Sequence, residues 1–468
     1  MNFLRLFLLS IPLFSLGRYL GGKFISLSVV LSLVVALYAV VMLAGNRLKK
    51  SDFAWSAPFF WFIGVAIIGL MLSPYGMAPL NKGAVQLVGI LMMILVTAYI
   101  LRYVKNNPQR LVLLLRFFLA LLGVYSAIGI VQCLLGTLTP FQLSFDFLNT
   151  LAGAGGGGGG GTIWRDPGVM GPIKRANSLA AEPTLFATYL CVGLGMALIR
   201  LGVLGPRYQA VSVSLLSKWT AYSIIAGMLL TFSINGWLMF LVVVGALFFV
   251  SSKISPGMLL KVAAGMVSLL LVLYIAAVFA GQQFFDKFST LALITLNADV
   301  GDMATQKISA LAMASNLEVT YQNFTNHPIL GGGLGSHPIA YEVYVPEYMS
   351  AMESEILGLN ADDASSLAFR LLSETGVMGT AIFIFGLASV VYRARRAVLA
   401  HMASCPPSLY RVMAIGVSAS AVGLMEAYLT RLGRYYDPIF WLAIALTLSA
   451  AYCLTREQAL PFERPVGA

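Results

Sequence analysis

Charge is what this sequence has least of. Charged residues make up 10% of the 468-residue chain, against roughly 25% in soluble domains. That is too little to clothe a water-facing surface. Hydrophobic residues make up 59%, so the class is membrane protein. Strand-period alternation is missing, which excludes an outer-membrane barrel. Cysteine is scarce, and Cys133, Cys191, Cys405 and Cys453 are scattered along the chain. This excludes a disulfide framework and a cysteine-based metal site. No His, Cys and carboxylate cluster has metal-ligand spacing. The tract Gly155–Gly161 has no Gly-Lys-Ser/Thr after it, and Gly331-Gly332-Gly333-Leu334-Gly335 lacks a strand–turn–helix setting. Neither is a nucleotide site, and neither a cofactor nor a metal is expected.

What is there is a series of apolar runs. A run of about 20 residues crosses ~30 Å of hydrocarbon as helix, the form in which a segment satisfies its own backbone. The hydropathy predicts an all-α polytopic protein of about twelve spans: 3–17, 24–45, 53–72, 81–101, 111–135, 183–200, 219–233, 236–251, 258–280, 367–391, 410–429 and 437–455. The seventh and eighth read equally as one hairpin interrupted at Ser233-Ile234-Asn235-Gly236. The N-terminal run has Arg5 but no small-residue cleavage site, so it reads as a helix rather than a removed signal.

The net charge of +11 points to topology rather than nucleic acid. Well over half of the Lys and Arg fall in alternate short loops and the tails. Basic loops stay in the cytoplasm, so both termini are expected inside. The chain then divides into three. Residues 1–280 hold nine spans with a glycine-rich outward loop at 136–182. Residues 281–366 form a large outward loop, and 367–468 hold three spans and a cytoplasmic tail. The large loop carries more than half of the 19 acidic residues.

Against this background, Arg175, Arg370, Arg431 and Arg434 stand out. Each lies at the outward end of a span, where positive charge runs against insertion preference. Ionisable groups at membrane depth mark sites, and the planar guanidinium suits phosphate. Pairing with Glu374, Glu426, Asp437 or Glu182 is the plainer account of each arginine. Outward candidates for a general base are His327, His337 and the carboxylates, Glu374 and Asp363 among them. Asp362-Asp363 beside Ser365-Ser366 also reads as a solvated helix start, with a serine capping the helix from Leu367. Trp164, Tyr341, Tyr344 and Tyr348 suit either sugar stacking or an interfacial belt.

Asn326-His327-Pro328-Ile329-Leu330-Gly331-Gly332-Gly333-Leu334-Gly335, with Ser373-Glu374-Thr375-Gly376-Val377-Met378-Gly379 some 40 residues on, resembles the bacterial O-antigen ligase and Wzy-type polysaccharide polymerase superfamily. Arg175-Ala176-Asn177-Ser178 is similar to that family's arginine-bearing segment. Leu230-Thr231-Phe232-Ser233 is similar to its Thr-x-Ser-Arg-Gly turn, with Ile234-Asn235-Gly236 where the arginine would stand. Ser365-Ser366 occupies the place where ligases carry His-Asn.

The resemblance implies a membrane glycosyltransferase of GT-C-like helical fold with a large periplasmic loop, in the bacterial inner membrane. It would transfer a growing glycan from polyprenyl pyrophosphate to the next lipid-linked repeat unit. Arg175, Arg370, Arg431 and Arg434 would hold pyrophosphate, and His337, Glu374 or Asp363 would take the proton. Implied partners are polyprenyl-pyrophosphate-linked oligosaccharides, membrane lipids, a chain-length regulator and a flippase. The alternatives are a ligase acting on lipid A core, a transporter, and a non-enzymatic scaffold.

Overall fold

The computed structural model describes residues 2–252, 308–346, 349, 360–402 and 407–459, less 14–15, 21–22, 142, 146, 152–165, 167–168 and 171–172. The glycine tract, Trp164, Tyr348 and the expected span 258–280 lie outside the described residues. The described chain is mostly helical, with two short antiparallel hairpins: β1 (Gly17–Leu20) with β2 (Lys23–Ser26), and β3 (Val169–Met170) with β4 (Ile173–Lys174).

The helices are α1 (Asn2–Ser10), α2 (Leu27–Ala44), α3 (Ala57–Met71), α4 (Leu80–Asn106), α5 (Gln109–Leu138), α6 (Phe147–Leu151), α7 (Pro183–Arg200), α8 (Pro206–Ser212), α9 (Lys218–Leu229) and α10 (Ile234–Ser251). They continue with α11 (Ile308–Asn326), α12 (His337–Tyr344), α13 (Leu367–Met402), α14 (Leu409–Arg431) and α15 (Pro438–Ala459). Among the described residues, eight helices are long and apolar enough to cross a membrane: α2, α4, α5, α7, α10, α13, α14 and α15. The protein is a multi-pass, all-α membrane protein.

Three expected spans come out short: the first, the third, which is the fifteen residues of α3, and the seventh, which is the twelve of α9. The first is only the nine residues of α1, about 14 Å at ~1.5 Å per residue. Pro12 follows at once and cannot continue the ladder, so the chain turns into the β1–β2 hairpin. The interrupted reading of the seventh and eighth spans holds. α9 ends at Leu229, Phe232 takes a left-handed conformation (φ 45°), and Ser233 caps α10 by accepting from the Gly236 amide at 3.4 Å.

α7, α14 and α15 are buried on nearly all sides. α2 instead turns Leu33, Leu37 and Val41 outward, at 47%, 56% and 67% exposure. Apolar side chains there face hydrocarbon, which makes the outside of the bundle as greasy as its core.

The bundle has two chemically different ends. One carries Arg102, Lys105, Arg110, Arg200, Arg393, Arg395, Arg411 and Arg456, tied together by bonds such as Lys105 Nζ to Asp52 Oδ1 (2.8 Å) and Arg456 Nη1 to the Lys105 carbonyl (3.2 Å). The other end gathers the loops, with α11 and α12 packed over it against α13. This loop end holds the candidate residues.

Candidate functional site

The two glycine-bearing motifs meet at a break in α13. Gly376 has φ 59° and ψ −162°, which interrupts the helix. A broken helix frees carbonyls on one side and amides on the other, and these must be paired in an apolar setting. The loop Pro328–Gly335 supplies the partners. The Gly332 and Gly333 amides donate to the carbonyls of Ser373 (2.9 Å) and Glu374 (3.0 Å). The Val377 and Met378 amides donate to the carbonyls of Pro328 (2.8 Å) and Ile329 (3.2 Å). Contact is backbone to backbone, so a Cβ on Gly331 would lie 2.5 Å from the Glu374 carbonyl carbon. A Cβ on Gly376 would lie 2.5 Å from Ile329.

Beneath this junction runs a directed hydrogen-bond chain. Tyr75 donates to Asn323 Oδ1 (2.7 Å), and Asn323 Nδ2 donates to Ser373 Oγ (2.9 Å). Ser373 Oγ then donates to His337 Nδ1 (3.0 Å), and His337 Nε2 to Asn316 Oδ1 (3.0 Å). Asn316 Nδ2 is already committed to the Ala312 carbonyl (2.6 Å). Its oxygen therefore faces the ring, which assigns the proton to Nε2. His337 is wholly buried. Burial, with the Arg370 and Lys82 charges, pushes its imidazole down to about 3. It stays neutral with both nitrogens spent, and this geometry gives it a structural post.

Arg370 and Glu374 form a second closed knot, one turn apart on α13. They are 4% and 0% exposed. Arg370 Nε donates to Glu374 Oε1 (3.1 Å) and Nη1 to the Gly433 carbonyl (2.6 Å). The guanidinium lies 4.9 Å from the Tyr435 ring centroid, and Tyr435 donates to Glu374 Oε2 (3.3 Å). Gln86, with its amide turned to satisfy both partners, donates to Glu374 Oε2 (3.2 Å) and accepts from Arg370 Nη2. Gly433 has no room for a side chain, because a Cβ there would collide with the Asp363 carbonyl. Asp363 is half-buried, accepts from the Ser365 amide (3.3 Å), and lies in the fields of Arg370 and Arg434. The expected serine cap is Ser366, whose Oγ accepts from the Phe369 amide (3.1 Å).

Arg175 and Arg431 are different. Both are half-buried, and both interact with one exposed carboxylate, Glu182. Arg175 is aimed by the interrupted hairpin, its Nε donating to the Thr231 carbonyl (2.9 Å) while the Ala176 amide donates to the Leu230 carbonyl (2.9 Å). Its segment is pinned from behind by Gln132, whose Oε1 accepts from the Asn177 and Ser178 amides (3.1 and 2.9 Å). Among the described residues its terminal nitrogens make no hydrogen bond, and burial pushes its guanidinium down against the pull of Glu182. Arg431 makes no hydrogen bond or ion pair among the described residues. Arg434 is accessible, beside Asp437, Asp363, Tyr428 and Tyr436, which hold its charge above the ordinary value despite burial of that charge.

The structure thus brings all seven candidates to one end, and sorts the arginines. Arg370 is spent internally, and Arg175 and Arg431 have donors to offer. Sequence reading missed Gln86, Asn316, Asn323, Ser373 and Tyr435. Asn316, Thr320 and Asn323 did carry a signal, since their spacing puts them on one face of α11. No protein-family model matches this chain. No curated protein matches it either.

Proposed function

We propose that this protein is a membrane glycosyltransferase of the polysaccharide-polymerase kind, acting at the outer face of the bacterial inner membrane with both termini in the cytoplasm. It moves a glycan from a polyprenyl-pyrophosphate carrier to a hydroxyl of the next lipid-linked repeat unit. The observation that carries this reading is the pair Arg175 and Arg431. Two guanidiniums with unspent donors, close to one carboxylate at a membrane-protein surface, suit a pyrophosphate leaving group. Charge placed where the leaving anion develops is the strongest catalytic lever for such a step. The donor carries its own leaving group, so the lack of a nucleotide motif fits.

Arg431 also answers the arginine missing from the hairpin. Its neighbour Thr430 donates to Asn235 Oδ1 (3.4 Å), and Asn235 stands where the resembled family has that arginine. α14 brings a guanidinium to the place from another direction. In this reading Arg370 and Glu374 hold the site's frame. Ser365 accepts from Asn316 Nδ2 (3.3 Å) and lies next to the buried His337, an arrangement that favours the polymerase over the ligase.

Alanine at Arg175 or Arg431 is expected to cut polymer formation ~100-fold or more, on the scale of losing one charge-stabilising donor, at unchanged protein level. Surface polysaccharide on a gel, beside an immunoblot, reads this. Single repeat units accumulating support a polymerase. Long chains stranded on the carrier point to the ligase, and unchanged long chains remove the arginine assignment.

A further inference from the structure

His337, Glu374 and Asp363 are all committed to bonds within the protein. His337 has both nitrogens engaged, and Glu374 has both oxygens engaged. Asp363 accepts from backbone between two arginines. One acid remains. Glu426 lies on α14, five residues before Arg431, about 8 Å deeper at ~1.5 Å per residue. Its Oε1 accepts from Thr430 Oγ1 (3.0 Å), while its buried Oε2 has no hydrogen-bond partner among the described residues. The same Thr430 hydroxyl reaches Asn235, which is 6% exposed and whose Nδ2 is also without a partner.

Side by side on one threonine, then, stand an unsatisfied acceptor and an unsatisfied donor. Each is costly to bury if nothing else meets it. A carboxylate oxygen only accepts, and an amide nitrogen only donates. A hydroxyl does both, so a single hydroxyl group satisfies the pair. Ionisable side chains at this depth belong to function by default.

We infer that Glu426 is the general base of the transfer and that Asn235 seats the acceptor sugar's hydroxyl oxygen. This rests on the glycosyl transfer proposed above. The acceptor oxygen bonds to the donor's anomeric carbon as the bond from that carbon to pyrophosphate breaks. The electron pair leaves with the lipid pyrophosphate, whose charge Arg175 and Arg431 meet. The acceptor's proton goes to Glu426 Oε2 and then to water. The titratable and charged groups that act on Glu426 are Arg431 on its own helix and Cys191 on α7.

The test uses the full-length protein in lipid nanodiscs, supplied with lipid-linked repeat units isolated from cells deleted for its gene. Wild type is expected to lengthen chains. Glu426→Gln keeps the shape and removes the base, and is expected to lower kcat ~100-fold to 10⁴-fold with KM within about twofold and the acid limb of the pH profile gone. Asn235→Ala is expected to raise KM. A Glu426→Gln enzyme with wild-type kcat overturns the inference, because a merely structural acid tolerates the amide. Where Glu426→Gln is not recovered as monodisperse protein, Glu426→Asp decides: a wild-type rate with the carboxylate withdrawn by one methylene overturns the inference, and a rate down tenfold or more supports it. A wild type that binds these lipids but transfers nothing overturns the transfer reading itself, and the Glu426 assignment with it.

Discussion

Arg370 and Arg175 show how one residue type comes to two ends. Both lie at the loop end of a span, and hydropathy gives them equal standing. Arg370 is four residues before a glutamate on one helix, and the break after Thr375 lets Tyr435 and Gln86 close around the pair. An ion pair removed from water is weak evidence for stability, but breaking it leaves one charge stranded and costs about 3–5 kcal/mol. Arg370→Ala is therefore expected to lose stability by that amount, and Arg370→Met with Glu374→Leu to recover part of it. Arg175→Ala should stay within about 1 kcal/mol of wild type, since a half-buried surface group is replaced. Thermal unfolding in detergent, followed by tryptophan fluorescence, compares the three. An Arg370→Ala protein as stable as wild type would mean that the pair does not hold the frame. The spacing of Arg370 and Glu374 was readable in the sequence. What could not be read was that the Gly433 carbonyl and Gln86 would take the remaining Arg370 donors, and that Tyr435 would donate to the second Glu374 oxygen.

At the scale of elements, the informative object is α13 with its inserted loop. Hydropathy marks a span over 367–391, and it is there, but no periodicity announces that it breaks at Gly376. The glycines are the legible part. Gly331, Gly333 and Gly335 have φ of 67°, 95° and 87°, a region that costs other residues strain. Their reason is tertiary. The loop must approach α13 backbone to backbone in order to mend the ladder that Gly376 opens. Gly331→Ala and Gly376→Ala each put a Cβ against main chain that cannot give way. Each is expected to reduce folded protein severely, through strain of about 1–3 kcal/mol plus the loss of several of the mending bonds at ~1 kcal/mol each. Gly64, whose Cβ would meet nothing within 4 Å, is the control: Gly64→Ala should be neutral or slightly stabilising. Fluorescence-detected size exclusion with a heat step separates these outcomes. Gly376→Ala eluting like wild type would show that the helix does not need its break.

For the whole molecule, the two ends carry the meaning. Composition established a membrane protein, and the run lengths located all eight described helices that are long and apolar enough to cross a membrane. The fate of the first run and the stacking of α11 and α12 on α13 were hidden. The first depended on a proline stop, and the second on buried side-chain bonds between segments far apart in sequence. The asymmetry of charge was legible, because insertion sorts Lys and Arg loop by loop. The structure turns that sorting into geometry, with one basic end and one end of loops. If the basic end is cytoplasmic, a cysteine placed there is shielded in intact cells. In a background stripped of native cysteines, Asp362→Cys marks the loop end at a side chain 93% exposed. Arg207→Cys marks the basic end at another exposed position. A membrane-impermeant maleimide should label the cysteine at 362 in intact spheroplasts, and that at 207 only after permeabilisation. The opposite pattern would put Arg175, Arg431 and Glu426 on the cytoplasmic side. There nucleotide sugars are at hand and a lipid-pyrophosphate donor loses its chemical advantage, so that outcome would sink the polymerase reading along with the topology.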